Sequence, residues 1–203
     1  MEHVNTGTAQ SVTSAESQKV LRNTYMLLSM TLAFSALTAG ISMSMNLGGG
    51  VAMIMSLAAL AIVWFVLPRT ANTAMGLPVV FLFTGLLGAA LGPMLNRYLA
   101  LPNGSEMVMQ ALGGTAIIFF SLSAYVLTTK KDFSFMGGFL CAGLMVVIVG
   151  AIGAMVASYF FGVDVSLFSL VISGAIVLLM SGFILFDTSR IINGGETNYI
   201  MAT

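Results

Sequence analysis

Residues 165–192 read VSLFSLVISGAIVLLMSGFILFDTSRII, and this stretch decides what kind of fold the chain can adopt. Val165 to Phe186 is an apolar run of 22 residues without an ionisable side chain. A helix needs about 17–25 such residues to cross the hydrocarbon core of a bilayer. Asp187 and Arg190 follow at once. An ionisable group at mid-bilayer costs roughly 2.5–3.5 kcal/mol on insertion scales, and less toward the interface, so Asp187 stands out as a functional candidate.

Outward from this run, five more apolar stretches occupy roughly 24–45, 50–67, 77–95, 107–128 and 135–161. Each reaches or approaches spanning length, and in lipid a run this long satisfies its backbone polar groups only as a helix. The expected fold is therefore all-α, a polytopic membrane bundle with six transmembrane helices. Composition agrees: 58% of residues are hydrophobic and 7% charged, against about 25% charged in a soluble domain. The fifth stretch is the longest and is rich in glycine, so tilt or interruption is expected there. Residues 1–19 are polar and hold no apolar run, which predicts a disordered tail without the layout of a cleavable signal peptide. Residues 20–203 are then expected to form a single transmembrane helical domain, whose first apolar segment directs insertion.

Net charge is zero, so the balance gives no reason to expect nucleic acid or an anionic partner, and the placement of charges carries the information. Lys19, Arg22, Arg69, Lys130, Lys131 and Arg190 fall on one side if the segments alternate, and Arg97 alone falls on the other. Short cytoplasmic loops retain Lys and Arg, so the amino terminus, and with six spans Thr203 as well, is expected on the cytoplasmic side. Gly88 and Gly92, and Gly143, Gly150 and Ala157, recur at helix-packing intervals and are assigned to close helix contact rather than to a pore. Pro78 sits in a first helical turn, whereas Pro93 is expected to kink or end the third segment.

Catalytic chemistry is not supported. His3 is the only histidine, which removes Ser–His and Cys–His catalysis and HExxH zinc chemistry, and no GxSxG elbow or Walker loop occurs. An enzyme is not expected, nor is a bound cofactor. Cys141 is single, so no internal disulfide forms, and a buried thiol is expected. The methionines lack the clustered spacing of a copper site and are expected to pack or to face lipid.

What remains is Asp187. Segments two and six both end on the same side in this topology, which sets Arg69 at the depth of Asp187. An ion pair between them would tie two helices together, and protonation of the carboxylate would release it. Asp187 could also pair locally with Arg190, three residues on, for about 0.2–0.5 kcal/mol, or simply mark the membrane edge.

The stretches VLRNTYMLLSMTLAFSALTA at 20–39 and SGFILFDTSRIINGGETNYI at 181–200, with the glycine-rich third and fifth segments, resemble the Bax inhibitor-1 family (the transmembrane Bax-inhibitor-motif proteins), and especially its bacterial YccA branch. The resemblance implies a multi-pass protein of the bacterial inner membrane with a buried acid on the sixth helix, matching Asp187, and an arginine latch on the second, matching Arg69. It also implies a pH-sensitive leak in which calcium is the transported ion, with Asp187 as the candidate ligand. For the YccA branch it implies a modulator of the membrane-anchored protease FtsH, acting with HflK–HflC, and the polar tail at 2–19 is the expected contact. Members of the family carry a seventh helix with a second aspartate, while this sequence ends at Thr203. One carboxylate is a poor cage for an ion that takes six to eight oxygens.

Overall fold

A computed structural model describes residues 6–193 and 198–203, with side chains for 18–193 and 198–203. Six helices follow in order: α1 Thr6–Ser44, α2 Gly49–Thr70, α3 Gly76–Leu99, α4 Gly104–Thr129, α5 Gly137–Phe161 and α6 Ser166–Ile192. Each of the six contains a segment long and apolar enough to cross a membrane, and no strand occurs among the described residues.

Helix α1 starts inside the stretch expected to be a disordered tail, although its apolar part begins only at Gln18. Nucleation is the costly step of helix formation and each added residue costs little, and residues 8–19 contain neither glycine nor proline. A helix fixed by its apolar part can therefore run on toward the amino end. Residues 1–5 of the expected tail lie outside the described residues. The chain divides into two compact units, Met1–Thr115 with Glu196–Thr203, and Ala116–Gly195.

The first unit is organised by a stripe of small residues on α3. Gly85, Gly88 and Gly92 stand three and four apart and so share one helix face. A Cβ on Gly88 would lie 2.2 Å from the Ser35 carbonyl oxygen, one on Gly92 2.3 Å from Ser42 Oγ, and one on Gly85 2.7 Å from the Phe34 ring. Only hydrogen fits at these positions, and the backbones of α1 and α3 approach accordingly. The packing role assigned to Gly88 and Gly92 is what the structure shows.

Pro93 does not end α3, which continues to Leu99. Proline has no N–H, so the carbonyl four residues back, that of Ala89, loses its own-helix donor. Ser42 Oγ on α1 donates to that carbonyl at 2.6 Å. Three residues on, Asn96 Nδ2 donates to the Met43 carbonyl at 3.0 Å and to Asn46 Oδ1 at 3.3 Å. Asn46 takes a left-handed turn, φ 49°, between α1 and α2, a conformation asparagine tolerates better than most residues.

Helix α2 widens into a π turn at Ile62–Val66, where the Leu67 N–H reaches back five residues to the Ile62 carbonyl. Pro68 follows directly, and its ring crowds the preceding turn, a recognised cause of such distortion. The carboxyl-terminal residues complete this unit. Asn198 Nδ2 donates to the Ala71 carbonyl at 3.1 Å and to Asn72 Oδ1 at 2.7 Å. Ile200 is buried with Leu27, Leu67, Ala71, Val79 and Val80.

In the second unit α5 and α6 pack through alternating small and large residues. A Cβ on Gly137 would meet Phe186 at 2.9 Å, one on Gly143 would meet Leu179 at 2.7 Å, and one on Gly182 would meet Leu140 at 2.6 Å. Gly150 is looser, with Ile172 at 3.5 Å. Leu140 is thus almost fully enclosed, while Cys141, one residue and about 100° further round the helix, is exposed rather than buried as expected. Gly162, φ 63°, closes α5 in the left-handed conformation that glycine adopts without strain. Asp164 Oδ1 then accepts the Ser166 N–H at 2.9 Å, at the start of α6.

Candidate functional site

The last turns of α6 carry Asp187, Thr188, Ser189 and Arg190 on one side of a loop that joins α4 to α5. Asp187 is exposed, unlike the buried acid the resemblance implies, whereas Thr188 and Ser189 are buried. Ser189 is the hub. Its Oγ accepts the Phe133 N–H at 2.8 Å and Asn193 Nδ2 at 3.2 Å, and its hydroxyl faces the Lys131 carbonyl and Asp132 Oδ1, each at 3.4 Å. Lys130, in a left-handed turn with φ 51°, sends the chain out of α4 and into this contact.

Asp132 also accepts the Ser134 N–H at 2.8 Å, which orders the single 3₁₀ turn Ser134–Met136 ahead of α5. The Ser134 hydroxyl and N–H, with a smaller contribution from Ser189, hold the Asp132 carboxyl below the ordinary carboxylate range. Asp132 is exposed, but it also fastens the loop.

Arg190 lies with its guanidinium carbon 5.5 Å from the centre of the Phe186 ring, in cation–π range. Arg190 stands three residues after Asp187 on α6, so the two share one helix face. Arg69 belongs to the first unit, where its guanidinium donates to the Phe65 carbonyl within the π turn of α2. Asp187 belongs to the second unit.

Among the described residues no group of three or more histidine, cysteine, aspartate or glutamate side chains gathers. Asp187 with hydroxyl neighbours already committed to backbone contacts does not supply six to eight oxygens.

Ser42, Ser189 and Asn198 were not singled out from the sequence, yet each makes a tertiary hydrogen bond that holds a helix end or a proline gap. The available signal was position. Ser189 shares a turn with Asp187 at the end of an apolar run, and Asn198 follows two residues after Glu196 in the polar stretch beyond α6.

The family model described as "Inhibitor of apoptosis-promoting Bax1" matches residues 17–203. An uncharacterised membrane protein of Vibrio cholerae is 54% identical over 188 residues, covering 93% of this chain and 82% of the relative. A protein of Escherichia coli K12 named modulator of FtsH protease YccA is 51% identical over 185 residues, covering 91% of this chain and 81% of the relative. A second Escherichia coli relative bears the name inner membrane protein YccA. No solved structure matches the chain. With six spanning helices, the acid after the sixth apolar run and a match over nearly all its length, the chain belongs to the Bax inhibitor family of membrane proteins.

Proposed function

We propose that this chain sits in the bacterial inner membrane with its amino terminus in the cytoplasm and modulates the membrane-anchored protease FtsH, acting with HflK–HflC. The observation that carries this reading is the 51% identity, over 91% of the chain, to a relative named for that activity. The amino end supports it physically. Helix α1 begins at Thr6 while its apolar segment begins at Gln18, so a polar stretch projects beyond the span as something a protease could grip. A bundle whose helices meet at bare glycines would resist extraction once gripped.

The test is degradation of a membrane substrate by FtsH in proteoliposomes, with and without this protein and with and without HflK–HflC. Slower degradation in its presence is expected, with relief on deletion of residues 2–19. Unchanged degradation under every condition would end the modulator reading.

A second reading is a pH-sensitive calcium or proton leak, favoured by an ionisable side chain, Asp187, inside a helix of spanning length. In it Asp187 senses protons and touches the passing ion, and Arg69 or Arg190 holds it shut. No catalysis is assigned in either reading.

A further inference from the structure

Where α2 begins and α3 ends, the first unit forms an open cleft of about 650 Å³, lined by Gly49, Ala52, Ala90, Pro93, Met94, Arg97, Tyr98 and Leu101. Its size falls in the range of small-molecule sites, about 300–1,000 Å³. The lining is apolar except for Arg97 and Tyr98. Arg97 is the only basic residue between Arg69 and Lys130. It is exposed, and among the described residues no carboxylate or carbonyl pairs with its guanidinium. Nη2 lies 3.3 Å from where a Cβ on Gly49 would be, so the guanidinium rests against the first turn of α2. The Gly49 and Gly50 N–H groups lead that turn, those of Val51 and Ala52 bonding back to the Gly48 carbonyl, and the opening of a helix carries partial positive charge.

We propose that this cleft seats an anionic phospholipid, its phosphate held by Arg97 and the opening turn of α2 and an acyl chain laid along Ala52, Ala90 and Met94. Charge complementarity sets the headgroup's sign. The depth sets the source, because the cleft lies at the ends of two spanning helices, and Leu91, Met94 and Leu101 beside or within it are exposed apolar side chains that suit hydrocarbon rather than water. Basic pockets between transmembrane helices take anionic headgroups on the cytoplasmic side, and because Arg97 falls on the opposite side in the topology read from the charges, the attraction here is local to its guanidinium rather than to a leaflet potential. Tyr98, with its amphipathic ring, matches the headgroup level. The small residues make the room: larger side chains at Gly49, Ala52 or Ala90 would fill the floor.

The experiment moves the only tryptophan to the cleft, as Trp64→Phe with Leu101→Trp, in the full chain in phosphatidylcholine vesicles. Quenching is measured by brominated phosphatidylglycerol and by brominated phosphatidylcholine. Phosphatidylglycerol is expected to quench at about fivefold lower concentration, the scale of one basic residue near an anionic lipid. That preference should vanish in Arg97→Gln, persist in Arg97→Lys, and vanish in Ala90→Leu, which fills the cleft and leaves the charge. Retention by Arg97→Lys against loss by Ala90→Leu decides the matter if Arg97→Gln fails to fold. Equal quenching by the two lipids, a preference that survives Arg97→Gln, or relief of quenching by inorganic phosphate alone would overturn the proposal.

Discussion

Ser42 Oγ donates to the Ala89 carbonyl at 2.6 Å, and Ala89 is the residue whose carbonyl Pro93 leaves without a donor. One hydroxyl, 47 residues before the carbonyl it meets, therefore lets a proline sit inside a membrane-spanning helix without ending it. Ser42→Ala is expected to destabilise the fold by about 1–2 kcal/mol. In a Pro93→Ala background the restored N–H takes over the carbonyl and the cost should largely vanish. Unfolding of the four proteins in mixed micelles reads the coupling, and strict additivity would show that the two residues act independently.

Glycines on the helices divide by what surrounds them. Gly88→Ala drives a methyl group against the Ser35 carbonyl at 2.2 Å, a backbone atom that cannot rotate away. A loss of about 1–3 kcal/mol is expected from overpacking. Gly40→Ala, on α1 with nothing within 4 Å, should be neutral or gain up to about 1 kcal/mol of helix propensity. Thermal unfolding of both variants in one detergent is the check, and equal effects would contradict the close approach of α1 and α3.

The α4–α5 loop should loosen in acid. The folded state holds the Asp132 carboxyl below its ordinary range through Ser134 and Ser189, so its contribution is present above the unfolded value, about 3.9. It is lost as pH falls through the lower folded value. The protection of the Phe133 amide, bonded to Ser189, relative to an unstructured amide at the same pH should hold down to about pH 4 and fall below it. Asp132→Asn should remove that acid step.

Ser189→Ala tests the same contact from α6. It leaves the Phe133 N–H and Asn193 Nδ2 without their acceptor, for an expected cost of about 1–3 kcal/mol. Exchange at Phe133 should then be fast at every pH. Protection equal to that of the unaltered protein would mean that Ser189 is incidental to the loop.

The leak reading makes its own demand. Calcium and proton flux into liposomes should depend on pH, with Asp187→Asn abolishing the dependence and Arg69→Ala raising flux near neutrality. If Arg190→Ala reproduces the Arg69→Ala effect and Arg69→Ala has none, the local pair is the latch. Flux no greater than in empty liposomes would remove this reading.

Helix number was legible because spanning length and apolarity are properties of a single run, as 165–186 shows. Gly88 and Gly92 were legible as packing positions because their spacing places them on one face. The fate of Pro93 was not, because it depends on Ser42, whose register against α3 no local pattern encodes. Cys141 was misjudged by one position: Leu140 takes the seat against Gly182 and turns its neighbour outward. The amino-terminal turns of α1 look irregular by composition and become helical by propagation from the apolar segment. Around Asp187, the acid and its arginines were evident in the sequence, whereas Ser189 was hidden because its partner, Phe133, lies across a loop.

The π turn of α2 has a consequence for how related chains are compared. An α-helix returns a hydrogen bond after four residues, and the Ile62–Val66 turn returns it after five, so α2 holds one residue more than a regular helix of the same rise. Arg69 therefore sits about 100° from where a regular helix started at Gly49 would point it. The turn behaves as a resident insertion. A relative lacking one residue there could close the turn and keep both ends of the helix in place, and an alignment without a gap would assign the wrong residue to the position of Arg69.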